Sequence, residues 1–357
     1  MIKPINFRQT LLDWSSNNPR FMPWTEEKDP YRIWLSEIIL QQTKVEQAVP
    51  YYHRLISEFP DLSTLATAPL ENLLKIWEGL GYYSRARNLH KSAEFLHFEK
   101  NGVFPKSYEE IRALKGVGDY TAAAISSFAY SIPKAVLDGN VIRVLARVLG
   151  IEVNPFESQG KKYFQKLADE LLDSNRPGPY NQALMNFGAT VCTPKKPLCL
   201  NCPFRFSCVA FKQDIISELP LKKEAKPLKK RYFHYLVLND NVGNTLIRQR
   251  KAKDIWHSLY EFPLLEFSKA NKLKKSDISV FLKETISQNL VDFKTVHPVF
   301  MEHRLTHQLL FVSFHKICLT IKLNQKNIKD YKLVDHKNLK NFAVPKIIRL
   351  FLDQNIK

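Results

Sequence analysis

Leu114-Lys115-Gly116-Val117-Gly118-Asp119-Tyr120-Thr121-Ala122 stands between two stretches, 107–114 and 119–130, whose apolar residues recur at three-to-four spacing. Two glycines free the backbone for a tight hairpin, and the second helix then presents unpaired N–H groups to the turn. Those groups and the helix dipole suit a phosphate, held without reading sequence. The same stretch also serves as a plain helix–helix turn. Gly116, Val117 and Gly118 therefore take their meaning from what surrounds them.

Outward from the hairpin, residues 1–216 read as helical almost throughout. The helical spacing also covers 31–59, 69–78, 84–100 and 140–149, punctuated by Pro60, Gly79, Gly81, Gly102, Pro105, Pro133 and Gly150. Residues 218–231, with two prolines and six basic residues, read as an exposed linker. Beyond it the pattern changes to strands at 232–238, 245–248, 299–300 and 309–319, a turn at 239–244 and a helix near 276–287. The expected architecture is a mainly α domain over 1–216, a basic linker over 217–231 and an α+β domain over 232–357. A length of 357 residues suits two such domains.

The formal net charge is +18. Residues 1–216 hold 26 basic and 22 acidic side chains, and 217–357 hold 27 and 13. Such a surplus suits a polyanionic partner, most simply nucleic acid. No apolar run approaches the roughly 18–20 residues of a membrane span. The N-terminus carries no apolar signal core, so a cytoplasmic protein is expected.

Four of the five cysteines, Cys192, Cys199, Cys202 and Cys208, fall within 17 residues. Four clustered thiolates suit a [4Fe–4S] cluster or tetrahedral zinc. Structural zinc more often uses two short Cys-x-x-Cys pairs, and only one is present, which favours iron–sulfur. Lys195, Lys196 and Arg205 lie in the same loops, where they face a nucleic-acid backbone or offset the thiolates. Two carboxylates stand in opposite settings. Glu37 has Ile33, Trp34 and Leu40 as helical neighbours, and desolvation there keeps a proton available near neutrality. Asp138 sits at an N-cap position, where N–H groups and the helix dipole favour the anion. One acid poised to donate and one anion held nearby is what glycosidic cleavage uses. Each position also has a plain structural reading, as a stripe edge and as a cap.

The runs Trp34–Glu37 and Leu40–Thr43, then Gly79–Arg85, the hairpin, Leu137–Val141 and the cysteine loop resemble, in order and spacing, the MutY-type adenine DNA glycosylases. These belong to the helix-hairpin-helix superfamily with endonuclease III. Residues 231–357 resemble, more loosely, that family's MutT-like (Nudix-related) domain. The resemblance implies a bacterial repair enzyme, monomeric and nucleoid-associated when bound. It would remove adenine mispaired with 8-oxoguanine or guanine in duplex DNA, initiating base excision repair.

By the same resemblance Glu37 protonates the flipped adenine, Asp138 stabilises the sugar cation, Tyr120 assists the acid and Asn140 orients water and Asp138. Gln42 and Tyr82 wedge into the duplex, and Trp24 lies near the adenine pocket. Bifunctional relatives carry a lysine where this chain has Tyr120, so a monofunctional glycosylase follows. Leu305-Thr306-His307 resembles the family's 8-oxoguanine-reading loop, with Leu305 in place of an aromatic residue and Thr306 in place of serine. Residues 240–300 lack the Glu-rich helix that Nudix hydrolysis needs for Mg²⁺.

Overall fold

In the computed structural model of the chain, residues 2–222, 227–286 and 292–355 are described. The chain forms two compact units, Met1–Ala68 with Arg87–Glu224, and Pro69–Ala86 with Ala225–Lys357.

The first unit is helical. Its elements are α1 (Pro4–Asn17), α2 (Pro30–Leu40), α3 (Val45–Glu58) and α4 (Leu62–Thr67). After α5 (Leu70–Ile76), which lies in the second unit, come α6 (Ser84–Glu99), α7 (Tyr108–Ala113), α8 (Asp119–Tyr130) and α9 (Gly139–Leu149). The unit ends with α10 (Ser158–Leu171), α11 (Pro177–Thr190) and α12 (Val209–Lys212). The 31–59 stretch is not one helix. The chain turns at Gln41–Lys44, with Gln42 left-handed at φ 57°. Val144, Leu145 and Val148 of α9 join Phe164, Tyr180, Phe187 and Phe204 in one core, which fixes α9 and its N-terminus against α11.

The second unit carries two sheets. Strands β1 (Lys229–Asn239) and β7 (Gln308–Leu319) pair in parallel at the centre of the larger one. Antiparallel partners are β4 (Leu264–Phe267) on β1, and β5 (Phe293–Thr295) and β6 (Val299–Arg304) on β7. The smaller sheet runs β3 (Tyr260–Glu261), β2 (Asn244–Gln249), β8 (Lys332–Asp335). Alternation divides the larger sheet into two faces. On one, Phe314 stacks on Phe351 of α14 (Lys346–Asn355), 4.1 Å between centroids. On the other, Leu236, Leu238, Ile317 and Leu319 meet Ile278, Phe281 and Leu282 of α13 (Lys275–Thr285).

Two boundaries differ from the sequence reading. Lys229–Arg231 already belong to β1, and Arg231 is buried with its guanidinium on Asp254, Glu266 and Gln308, so the exposed linker stops short of it. Six basic and two proline residues over 218–231 hid the start of a strand whose first buried side chain is an arginine. Segment 69–86 falls with the second unit. Arg349 Nε meets Glu78 at 2.5 Å, the Tyr260 hydroxyl donates to Glu71 at 2.7 Å, and Lys75 Nζ donates to the Phe342 carbonyl at 3.3 Å. Residue 287, the expected end of α13, lies outside the described residues.

Candidate active site

Asp29 caps Tyr31 N at 2.9 Å and Pro30 opens α2, so the helix starts on cue and buries Ile33 to Ile39. Glu37 is carried into that buried face at 4% exposure. Its Oε2 has no hydrogen-bond partner. Burial, reinforced by the charge of Asp138, pushes Glu37 up to about 7, against the pull of a Tyr120 hydrogen bond. The upward shift expected from the apolar stripe is therefore present, with burial as its cause.

Tyr120 lies in the first turn of α8, which brings it to Glu37. Its hydroxyl donates to the Met185 thioether of α11 at 3.2 Å. Burial and the two carboxylates raise Tyr120 far above the ordinary tyrosine range, so it stays neutral.

Asp138 caps α9, accepting from Val141 N at 2.8 Å and from Asn140 Nδ2 at 2.7 Å. The cap is as expected, but the titration direction is not. Burial raises Asp138 above its ordinary value, and the hydrogen bonds and Arg143 only offset it in part. The cap was visible in the sequence; the helices that cover it were not. Asn140 passes the contact on, its Oδ1 accepting from Arg143 Nη2 at 2.9 Å. Arg143 also donates to the Cys192 carbonyl at 2.7 Å and the Gly188 carbonyl at 2.6 Å. Sequence reading missed Arg143 and Met185. The Arg143 signal was an arginine one turn into a mainly apolar helix, which needs internal acceptors to be buried.

A cleft of about 1240 Å³ is lined by Gln42, Tyr120 and Asp138, with Lys134, Lys161 and Lys162 along it. The hairpin forms its lip. Gly116 has φ 83°, and a Cβ there would stand 2.9 Å from that of Asn88, so this glycine is required. Gly118 is extended at φ −99° and any residue fits it; its bareness leaves the α8 N-terminus open. Val117 is buried. Gln41, also missed, ties α2 to the hairpin through the Gly116 carbonyl at 3.2 Å and Thr121 Oγ1 at 3.1 Å. Trp24 is not brought to the cleft: it packs edge-on against Tyr52, 5.2 Å between centroids.

The cysteine loop follows α11. Arg147 of α9 threads it, donating to the Thr193 carbonyl at 2.8 Å and lying 3.6 Å from Cys192 Sγ. Cys208 Sγ donates to the Arg147 carbonyl at 3.3 Å. Burial, then the charges of the neighbouring cysteines, raises Cys202 to about 12 and moves Cys199 and Cys208 upward. Among the described residues, no three His, Cys, Asp or Glu side chains form a single-ion site. Four thiols in one loop, three of them pushed upward, are a donor set that a multiply charged cationic group completes, so the residues fit a thiolate-held metal group. Lys195 and Lys196 are exposed, while Arg205 lies over the Phe206 and Phe211 rings at 5.4 and 5.8 Å.

In the second unit, Leu305-Thr306-His307 form the tip of the β6–β7 hairpin, closed by Leu305 N on the Gln308 carbonyl at 2.8 Å. Thr306 and His307 are exposed, and the Thr306 hydroxyl meets that of Tyr82. Tyr82 itself is 42% exposed with φ 48°. Asp254, Glu261 and Glu266 are held by Arg231 and Arg250.

Residues 35–170 match the family described as HhH-GPD superfamily base excision DNA repair protein, and residues 234–354 match the NUDIX domain. The chain is 34% identical over 313 residues to the adenine DNA glycosylase of Buchnera aphidicola subsp. Baizongia pistaciae, covering 86% of this chain and 84% of the relative. It is 31% identical over 351 residues to that of subsp. Schizaphis graminum, covering 97% and 98%. A thermostable thymine-DNA glycosylase shares the fold over 59% of this chain and 97% of its own, at 27% identity and TM-score 0.55. With its helical unit, its Nudix-like unit and the Glu37–Tyr120–Asp138 constellation, the chain belongs to the adenine DNA glycosylase family within the HhH-GPD superfamily of base excision repair enzymes.

Proposed function

We propose that this enzyme hydrolyses the N-glycosidic bond of adenine mispaired with 8-oxoguanine or guanine in duplex DNA, leaving an intact abasic site. The observation that carries the reading is a buried Glu37 raised to about 7, with one oxygen unpaired and Tyr120 and Asp138 beside it. Glu37 Oε–H protonates a ring nitrogen of the flipped adenine. The C1′–N9 pair leaves with the base, and the sugar becomes oxocarbenium-like. Asp138, oriented by Val141 N and Asn140, supplies the facing negative charge. Water then adds to C1′ and its proton passes to a carboxylate. Tyr120 is neutral and has no amine, so no imine forms and the strand stays whole.

Gln42 and Tyr82 both sit exposed in left-handed conformations, which suits side chains that fill the space a flipped base vacates. The hairpin N–H groups, with Lys195 and Lys196, hold phosphates. Thr306 and His307 read the lesion, and Leu305 wedges without stacking. The Nudix-like unit is a reader: it lacks a Glu-rich helix over 240–300, and Asp254, Glu261 and Glu266 are engaged by arginines. Cys192, Cys199, Cys202 and Cys208 hold a [4Fe–4S] cluster, which when bound pins the 192–208 loop. The enzyme acts as a monomer on cytoplasmic, nucleoid DNA. Glu37→Gln is expected to lower single-turnover adenine release at least a thousandfold with duplex affinity kept; unchanged release would overturn the assignment.

A further inference from the structure

Two histidines of the second unit face one another outside every site described above. His234 on β1 and His315 on β7 bring Nδ1 and Nε2 within 3.1 Å, their rings nearly parallel and almost end to end with 5.3 Å between centroids and 28° between planes. Ser313, two residues before His315, places its Oγ 2.8 Å from His234 Nδ1 and 3.0 Å from His315 Nε2. The parallel register sets Ser313 beside His234 and His315 beside Leu236, so all three side chains emerge from one sheet face. One end of that face is covered by α13. Toward the other end, Phe300 lies opposite Ser313 and is 74% exposed. The three polar atoms stand at the margin of the covered part, with His315 half-buried and reachable from solvent.

A neutral imidazole has one N–H and one lone pair. Two facing lone pairs repel and two facing N–H groups clash, so one of these nitrogens carries a hydrogen and the other a lone pair, with the Ser313 hydroxyl in reach of both. Among the described residues, the carboxylate whose charge reaches His234 is Asp277 of α13, and its side chain already accepts from Lys274 N at 2.8 Å. Protonating the pair is opposed from both sides: burial, then His234 itself, pushes His315 down to about 4.

We infer that His234 Nδ1, His315 Nε2 and Ser313 Oγ form a binding site for one borderline divalent metal ion of the zinc, nickel or copper class. Metal–nitrogen bonds of about 2.0–2.1 Å to two nitrogens 3.1 Å apart subtend about 95–100° at the ion, between the octahedral and tetrahedral angles, and both rings turn from their end-to-end setting so that their lone pairs converge on it. Two imidazoles select this class over Mg²⁺ or Ca²⁺, which take oxygen ligands. The donors stand on the two central strands, joined by an eleven-residue ladder from Lys229 to Asn239, so little ordering is needed on binding. On binding, the ring that carries its hydrogen on the facing nitrogen changes tautomer to carry it on its other nitrogen, so both imidazoles bind neutral with no net proton released, and water completes the coordination.

The full-length chain, labelled with ¹⁵N-histidine, tests this by zinc titration. One equivalent at the site is expected to shift His234 Nδ1 and His315 Nε2 while the ring nitrogens of His303 and His336 stay in place. A parallel titration of the His315→Gln chain, which keeps the cysteine loop, separates zinc taken up there from zinc at these rings. His315→Gln is expected to abolish the His234 response. Ser313→Ala, which keeps both imidazoles, is expected to retain it at about tenfold higher zinc. Ring nitrogens of His234 and His315 unmoved at tenfold excess zinc would overturn the site and leave a hydrogen-bonded packing triad.

Discussion

Burial of Glu37 gives catalysis and stability opposite signs. Its carboxyl rises from an ordinary 4.5 to about 7 in the folded chain. A raised folded value makes the protein relatively more stable below pH 4.5, and that advantage is lost as pH climbs to 7. The penalty above pH 7 is about 3 kcal/mol. Glu37→Gln removes it, so thermal melts should show the variant more stable than wild type at pH 8 and matched near pH 4. Wild-type excision should fall as pH passes 7, when the acid loses its proton. At Gln42 the strain is conformational. A left-handed non-glycine costs on the order of 1–3 kcal/mol, so Gln42→Gly should raise the melting temperature and yet slow excision. Faster or equal excision by that variant would remove Gln42 from the wedge. The raised carboxyl of Glu37 was legible from Ile33, Trp34 and Leu40, because helical spacing dictates those neighbours. The upward shift of Asp138 was not, because the burial that dominates it comes from distant chain.

At the scale of elements, α9 and α11 are registered by one glycine. A Cβ on Gly188 would stand 2.7 Å from Asn140 Cβ and 3.0 Å from the Asn140 carbonyl. Gly→Ala inside a helix ordinarily stabilises, but here it pushes on the residue that holds Asp138. Gly188→Ala should cost about 1–3 kcal/mol in denaturant melts and lower single-turnover excision more than tenfold. Arg143 spans the same junction, from Asn140 to the Cys192 carbonyl. The hairpin and helices 119–130 and 140–149 were readable because punctuation and period agree there. The 31–59 stretch misled because the Gln41–Lys44 turn carries no glycine or proline. Strands β3 and β5, of two and three residues, are too short to show a period.

Across the whole molecule, charge and connectivity matter most. The surplus of fourteen positive charges after residue 216 should make duplex binding fall steeply with salt. Segment 69–86 reads as part of the helical domain in sequence, yet Arg349, Tyr260 and Thr306 hold it in the second unit. No local pattern announces partners more than 180 residues away. A chain ending at 216 keeps Glu37 and Asp138 but strips Tyr82 of Thr306. Thr306→Ala in the full chain should likewise compress the preference for adenine opposite 8-oxoguanine over guanine several-fold while sparing base release itself. The most direct measurement is single-turnover cleavage of duplexes carrying one adenine opposite 8-oxoguanine, guanine or thymine, with and without alkali. The account predicts breaks only after alkali, fastest opposite 8-oxoguanine, slower opposite guanine and absent opposite thymine. Alkali-independent breaks, or equal excision opposite thymine, would contradict it.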